Sequence, residues 1–309
     1  MRYIYCMRHF NKQLILGAIC ILSITSCSIV KKTSDDIQFP AFSSEGHRGA
    51  RGLYPENSIG AMKVAIDLPN VTTLELDCHI TKDKKVVVYH DDYLNPKFVT
   101  YNNGKELTGK DNKGLIYDYT FNELKAFNIG LKGNVDFPQQ KKISTNISLL
   151  AELIDTAESY AKAKRKEPMF YNIETKSKEG KDHISHPAPQ EFSDLLLQVV
   201  IDKGIAKRTV IQSFDKRTIQ YIHKTYPQIK TSYLIDAKNK KSIAELVEEL
   251  GFKPAIISPN YKIVTNKLVQ DAHSLGIKII PWTVNTKEEI EDLKKLRVDG
   301  IISDYPNLF

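Results

Sequence analysis

The amino-acid sequence predicts an α/β protein whose strands close into a single (β/α)8 barrel, a TIM barrel. From Gly46 to the C-terminus, short apolar runs rich in β-branched residues alternate with amphipathic stretches. Such alternation indicates parallel strands joined by crossover helices. With a short first strand before His47 there are nine strands, but only five residues, 81–85, separate two of them. A parallel crossover needs a dozen or more residues, so that pair forms a hairpin and eight strands remain for the barrel.

The composition limits the class of protein. Hydrophobic residues make up 41% of the 309-residue chain and charged residues 26%, which excludes a polytopic membrane protein, a collagen-like repeat and a disordered tail protein. The formal net charge is +7, and Arg2, Arg8 and Lys12 supply three of these charges, so +4 remains without them. A surplus this small, without a long Lys/Arg block, disfavours nucleic acid as the main partner.

Residues 1–26 are predicted to be a lipoprotein signal peptide. The three basic residues precede the apolar run Leu14–Ser26, which is shorter than the roughly 20 residues that a membrane span needs. The run ends in Ile24-Thr25-Ser26-Cys27, which resembles the lipobox of bacterial lipoproteins, where the cysteine is acylated and becomes the new N-terminus. The alternatives are an ordinary secretory signal with a chance cysteine and an uncleaved anchor.

Lipidation of Cys27 has consequences for the rest of the chain. Cleavage leaves Cys27 and Cys78, and the lipid occupies the first, so we expect no disulfide despite export. Residues 27–43 are predicted to be a flexible tether and 44–309 the barrel domain. The protein would attach to a bacterial membrane through its lipid alone, facing the periplasm or the surface of the outer membrane. The sequence does not indicate an oligomeric state.

The elements are predicted in the following order. After the strand that ends before His47, the strands are Leu74–Ile80, Val86–Tyr89, Phe170–Ile173, Thr209–Phe214, Thr231–Ile235, Ala255–Ser258, Ile277–Val284 and Gly300–Ser303. The helices are Ser58–Leu68, Ile147–Ala163, Glu191–Lys203, Lys216–Tyr226, Ser242–Leu250, Thr265–Leu275 and Thr286–Leu296. Asn57 is predicted to cap the first helix, Gly204 and Gly276 follow two others, and Thr286 with Glu289 has capping-box spacing. The segment Asn95–Ile143 is predicted to be an irregular active-site loop over the C-terminal face of the barrel.

Acidic side chains interrupt two of the predicted barrel strands. In Leu74–Ile80 the alternation places Glu75, Asp77 and His79 on the face opposite to the apolar residues, towards the barrel interior. Glu174 ends the strand that begins at Phe170. Carboxylates this close are costly without a cation, and three oxygen donors suit Mg²⁺ or Ca²⁺ better than zinc. The alternative is a half-solvated edge strand with a polar face, and for His79 a packing or supporting role.

Two histidines and an arginine lie at strand ends beside these acids. His47 follows the first strand, and His90 follows the apolar run that begins at Val86. Imidazole titrates near neutrality, so a pair of histidines can give and take protons in one catalytic cycle. Arg48 offers a planar fork of donors that suits phosphate. A single histidine at a strand end is more often a satisfied polar residue than a catalyst, but two beside a carboxylate cluster favour catalysis.

From about Gly46 to the C-terminus the sequence resembles the glycerophosphodiester phosphodiesterase family. The motifs that carry the resemblance, in order and spacing, are Gly46-His47-Arg48-Gly49, Pro55-Glu56-Asn57-Ser58, Glu75-Leu76-Asp77, Thr81-Lys82-Asp83, His90-Asp91, Asn172-Ile173-Glu174-Thr175-Lys176, Gln212-Ser213-Phe214-Asp215, Pro281-Trp282-Thr283-Val284-Asn285 and Asp299-Gly300-Ile301-Ile302-Ser303-Asp304-Tyr305-Pro306. Two small departures are Ser58, where the family usually has threonine, and Thr175, where it often has isoleucine. Neither side chain is an expected ligand.

The resemblance implies a barrel of the phospholipase C-like phosphodiesterase type that hydrolyses glycerophosphodiesters to sn-glycerol 3-phosphate and an alcohol. It implies general acid and base roles for His47 and His90, without saying which is which. The other implied roles are one divalent cation held by Glu75, Asp77 and Glu174, phosphate contacts from Arg48 and Lys176, and a glycerol pocket lined by Trp282. The nucleophile is either water or a substrate hydroxyl. The alternatives are a related phosphodiesterase acting on lysophospholipid or a cell-wall glycerophosphate polymer, and a non-catalytic lipoprotein that binds glycerophosphodiesters.

Overall fold

The structure, a computed structural model, describes residues 39–309. The predicted signal peptide, the lipidation site Cys27 and most of the predicted tether therefore lie outside the described residues. The described end of that segment, residues 39–43, packs on the barrel. The rings of Phe39 and Phe170 meet edge to face at 5.8 Å, and Ser43 already opens the first strand. Within 39–309 no helix is long and apolar enough to cross a bilayer.

The described chain contains twelve strands and eight α-helices, most of them within two residues of the predicted bounds. The strands are β1 (Ser43–Gly46), β2 (Thr73–Ile80), β3 (Val86–Val88), β4 (Thr100–Tyr101), β5 (Phe127–Asn128), β6 (Ser148–Leu149), β7 (Phe170–Thr175), β8 (Thr209–Ser213), β9 (Lys230–Ile235), β10 (Ile256–Pro259), β11 (Lys278–Ile279) and β12 (Gly300–Ser303). The helices are α1 (Ile59–Asp67), α2 (Phe121–Leu124), α3 (Leu150–Lys164), α4 (Pro189–Asp202), α5 (Lys216–Thr225), α6 (Ile243–Leu250), α7 (Asn266–Ser274) and α8 (Lys287–Lys295).

Eight parallel strands close into the predicted (β/α)8 barrel. Their order around the sheet is β11, β10, β9, β8, β7, β2, β1 and β12. The two ends of this order meet through backbone hydrogen bonds rather than a regular ladder. Asp299 N donates to Ile279 O at 2.8 Å, and Ile302 N donates to Pro281 O at 3.0 Å. The barrel prediction is therefore confirmed, although β11 is only two residues long.

The short connection after β2 forms a hairpin, as predicted. β3 pairs antiparallel with β2, with Ile80 opposite Val86, and β6 then pairs with the outer side of β3. This small extension carries the chain away from the barrel and into the long segment that follows.

The segment 95–143 is folded, whereas the sequence predicted an irregular loop. It contains α2 and the paired strands β4 and β5, and Phe98, Val99 and Phe127 are buried in an apolar cluster shared with Tyr89 at the end of the hairpin. Elements of two to four residues are too short to show helical or strand periodicity, which explains why the pattern read as irregular.

The first helix begins one residue later than its predicted cap. Ser58, not Asn57, is the N-cap, and its Oγ accepts a hydrogen bond from Ala61 N at 3.0 Å. Asn57 has a left-handed backbone, with φ of 57°, and its side chain turns towards the acidic strand β2. The other cap predictions agree with the structure: Thr286 accepts from Glu289 N, and the two predicted glycines follow their helices with positive φ.

We expect Leu76→Ala to lower the free energy of unfolding by about 2–5 kcal/mol, because Leu76 is fully buried on the outer face of β2 under the helices. Chemical unfolding followed by circular dichroism measures the change. Leu275→Ala is the matched control, since Leu275 is 36% exposed and its truncation opens no buried cavity. Equal losses of stability for the two variants would contradict the assigned facing of β2.

Candidate active site

Three carboxylates meet where β2 and β7 run side by side. The parallel register places Glu75 opposite Asn172 and Asp77 opposite Glu174, so residues far apart in the chain become neighbours. One oxygen from each of Glu75, Asp77 and Glu174 lies within 4.8 Å of the others, and all three side chains are buried. This acidic cluster could hold a metal ion.

The chemistry of the cluster fits a hard divalent cation. Asp77 Oδ1 is buried and has no hydrogen-bond partner among the residues that the structure describes, where the nearest cationic group, Lys176 Nζ, is 3.6 Å away. Buried polar atoms without a partner are rare, and three carboxylate oxygens are donors that Mg²⁺ and Ca²⁺ accept. The unpartnered Oδ1 of Asp77 therefore indicates a place for a bound cation.

Side chains outside the cluster fix the orientation of two of its members. Asn57 Nδ2 donates to Asp77 Oδ2 at 2.8 Å, and Asp77 N donates back to Asn57 Oδ1 at 3.1 Å. Gln212 Nε2 and Arg48 N each donate to one oxygen of Glu75, both at 2.8 Å. The sequence interpretation missed the role of Asn57 because it assigned this residue to the helix cap.

Burial and mutual repulsion shift the pKa values of the three acids apart. Burial, and after it the charge of Asp77, raises the pKa of Glu75 well above its ordinary value. Burial likewise raises the pKa of Glu174 to about 7, although Lys176 opposes the shift. Burial acts against ionisation of Asp77 too, but Lys176 and Arg48 bring its pKa well below the ordinary value. Like charges this close require a proton or a cation between them.

His47 is held by a carboxylate from the far end of the chain. Its Nδ1 lies 2.6 Å from Asp304 Oδ1, and Asn285 Nδ2 donates to the other oxygen of Asp304 at 2.8 Å. Burial lowers the pKa of His47, with Asp304 opposing the shift. The carboxylate selects the tautomer with a proton on Nδ1, so Nε2 is the acceptor, and Arg48 Nε donates to it at 3.3 Å.

His90 has an equivalent arrangement built from neighbours in sequence. Its Nδ1 lies 2.7 Å from Asp91 Oδ1, and Asn95 Nδ2 donates to Asp91 Oδ2 at 2.6 Å. Burial, reinforced by the charge of Arg48, lowers the pKa of His90 to about 4. At neutral pH the ring is therefore uncharged, with Nε2 free to accept a proton. Both histidines thus present one nitrogen to the site and anchor the other on a carboxylate.

The two predicted phosphate ligands reach the acidic cluster. Arg48 Nη1 donates to Glu56 at 2.6 Å, and its Nε lies 3.3 Å from Asp77. Lys176 Nζ donates to Glu174 at 2.8 Å. Glu56, which the sequence interpretation quoted only within a motif, is thus the main partner of Arg48. The guanidinium of Arg48 and the ammonium of Lys176 are therefore held beside the carboxylates, where both could bind an anion.

A cleft of about 200 Å³ opens above these groups. Trp282 forms one wall, with its ring edge to face with Phe214 at 5.5 Å and its Nε1 donating to Ser258 O. The residues that line the cleft include His47, Arg48, Glu75, His90, Glu174 and Lys176. None of the lining residues comes from the segment 95–143, all of which the structure describes, so the predicted active-site loop does not line this cleft.

The fold and the site define the class of protein: a TIM-barrel hydrolase of phosphate esters with an acidic cluster that could hold a metal ion. The sequence profile of the glycerophosphoryl diester phosphodiesterase family matches residues 47–308, and the chain belongs to this family. The resemblance that the motifs predicted is therefore confirmed.

Individual relatives agree over most of the chain. The glycerophosphodiester phosphodiesterase of Bacillus subtilis strain 168 is 28% identical over 272 residues, covering 85% of this chain and 83% of the relative. That of Caldanaerobacter subterraneus is 28% identical over 264 residues, covering 84% and 93%. The crystal structure of a candidate glycerophosphoryl diester phosphodiesterase from Silicibacter pomeroyi DSS-3 superposes on this chain with a TM-score of 0.77 at 30% identity. The match covers 87% of this chain and 92% of that one.

Proposed function

We propose that the protein is an enzyme that hydrolyses glycerophosphodiesters to sn-glycerol 3-phosphate and an alcohol. The observation that carries the proposal is one cleft lined by members of a buried three-carboxylate cluster and by two imidazoles that are each anchored on a carboxylate. One oxygen of the cluster has no hydrogen-bond partner among residues 39–309. In the reaction the bond from phosphorus to the alcohol oxygen breaks and the alcohol takes up a proton. The phosphate keeps the oxygen of water, either directly or after attack by a substrate hydroxyl.

The chain's own residues supply the groups that this reaction needs. His47 and His90 are one proton acceptor and one proton donor, since each anchors Nδ1 on a carboxylate and presents Nε2 to the site, where His47 Nε2 also accepts from Arg48 Nε. Arg48 and Lys176 bind the phosphate oxygens and stabilise the charge that develops on them. Trp282, paired with Phe214, packs against the carbon skeleton of the glycerol.

The metal ligands in this proposal are Glu75, Asp77 and Glu174, and the ion is Mg²⁺ or Ca²⁺. A bound dication supplies charge neutralisation at the phosphate oxygens. Carboxylates are the only candidate donors in the cluster, and hard oxygen donors favour these two ions over zinc.

Removal of metal by a chelator is expected to abolish hydrolysis of glycerophosphocholine and glycerophosphoethanolamine. Adding back Mg²⁺ or Ca²⁺, one at a time, restores the activity and identifies the ion. The release of sn-glycerol 3-phosphate is measured with a coupled dehydrogenase, with free sn-glycerol 3-phosphate as the control that the coupling enzyme still works. Full activity in the continued presence of chelator would refute the metal-dependent reaction.

We also propose that the protein is exported and anchored in the bacterial cell envelope by a lipid on Cys27. The support is the sequence of residues 1–27 alone, which lie outside the described residues. Cells fed labelled palmitate are expected to label the wild-type protein and not the Cys27→Ser variant, and protease treatment of intact cells then reports the exposed side. Equal labelling of both proteins would exclude Cys27 as the lipidation site.

A further inference from the structure

A second cavity, of about 480 Å³, adjoins the catalytic cleft. It shares four lining residues with the first cavity: His90, Glu174, Lys176 and Phe214. His47 and Trp282 line only the first cavity. The two cavities therefore meet at the catalytic groups, and each also has lining residues that the other lacks, as separate places for the two arms of a phosphodiester would require.

The residues that line this second cavity include His79, a histidine that the proposed reaction does not use. The side chain is buried, and its Nε2 lies 3.0 Å from the backbone oxygen of His90. A carbonyl oxygen only accepts, so Nε2 is the donor, and Nδ1 of the neutral ring carries no proton. Nδ1 is buried and has no hydrogen-bond partner among the described residues. A buried acceptor without a donor indicates that a ligand supplies one.

The charges around His79 favour a ligand that donates hydrogen bonds. Asp91 and Asp92 are half-buried walls of the cavity, and Asp92 makes no ion pair within residues 39–309. The two lysines of the cavity besides Lys176 are Lys178 and Lys181, and both are exposed at its rim. The remaining cation, Lys176, is mostly buried and pairs with Glu174 at 2.8 Å, which leaves Asp92 as a carboxylate of the cavity without a cationic partner among residues 39–309.

We propose that this second cavity binds the alcohol that leaves in the reaction, and that His79 Nδ1 accepts a hydrogen bond from a donor at the far end of that alcohol. This proposal rests on the proposed hydrolysis of glycerophosphodiesters. The chemical class that fits is an alcohol carrying a primary ammonium group. Ethanolamine offers N–H donors to His79 and positive charge to Asp92, whereas the quaternary ammonium of choline has no N–H to give.

The test compares kcat/KM for glycerophosphoethanolamine and glycerophosphocholine in the wild type and two variants. His79→Gln keeps an amide nitrogen that can donate to His90 O but removes the acceptor at the position of Nδ1. His79→Asn places an amide oxygen near the position of Nδ1 but cannot reach His90 O. The matched control is His223→Gln, at a histidine stacked on Phe252 on the outside of the barrel.

We expect the wild type and His223→Gln to prefer glycerophosphoethanolamine. The preference should fall at least about tenfold in His79→Gln and persist in His79→Asn, since a hydrogen bond to a charged group has that effect. An unchanged preference in His79→Gln, or one lost only in His79→Asn, would overturn the proposal and leave His79 as a support for the His90 backbone. Hydrolysis of neither substrate by the wild type would instead refute the proposed function.

Discussion

Asp77→Asn is expected to lower the turnover of glycerophosphodiesters at least about 100-fold and to abolish the rise in thermal midpoint that Mg²⁺ or Ca²⁺ produces. An asparagine oxygen in the place of Oδ2 can still accept from Asn57 and Arg48, so the fold is retained. The substitution removes Oδ1, a buried carboxylate oxygen of the cluster that has no hydrogen-bond partner within residues 39–309. Coupled assays and thermal unfolding with and without metal measure both effects.

Asp292→Asn is the control for this prediction, because Asp292 lies on the surface in α8 and pairs only with Lys295 among the described residues. This variant should match the wild type in turnover and in the metal-dependent midpoint. If Asp77→Asn kept near-normal turnover and metal stabilisation, the acidic cluster would not be the metal site.

His47→Ala and His90→Ala are each expected to reduce kcat by about 10²–10⁴-fold, the usual range for loss of a general acid or base. Neither histidine is a member of the carboxylate cluster, so both variants should still show a metal-dependent rise in thermal midpoint. That combination separates a loss of proton transfer from a loss of metal or of fold. The measurements are steady-state kinetics and thermal unfolding of each variant.

His273→Ala is the control for the histidine variants, since this exposed residue pairs with Asp299 away from the cleft. It should keep wild-type kcat. Either active-site variant retaining more than about a tenth of wild-type kcat would be incompatible with an obligatory role in proton transfer.

The local sequence pattern was sufficient to predict the part of the site that lies on a single strand, β2. The period of two in β2 places Glu75 and Asp77 together on the interior face, and Leu76 and Cys78 under the helices, as the structure has them. A parallel barrel also requires β7 to present its C-terminal end beside β2, which brings Glu174 into the cluster. Periodicity and strand direction are both readable from a single sequence.

The hydrogen bonds that orient the site residues could not be predicted from the sequence, because they join residues that only the closed barrel brings together. Asp304 lies 257 residues from His47, and Gln212 lies 137 residues from Glu75. No local pattern marks an acid or an amide as the partner of a particular distant side chain. The predicted N-cap of α1 was wrong for a related reason. Asn57 and Ser58 are both residues that favour the N-cap position, and only the tertiary contact of Asn57 with Asp77 decides between them.

The pairing of His47 with Asp304 ties catalysis to the completion of the polypeptide. A ribosome must translate beyond residue 304 before the first histidine can acquire its tautomer-setting carboxylate, and β12 must dock beside β1 to deliver it. Hydrolytic activity would then appear during refolding only after the first barrel strand, β1, has paired with the last, β12. The time at which hydrolytic activity returns during refolding would therefore report when the barrel closes. Spectroscopic signals that follow secondary structure alone would not give this time.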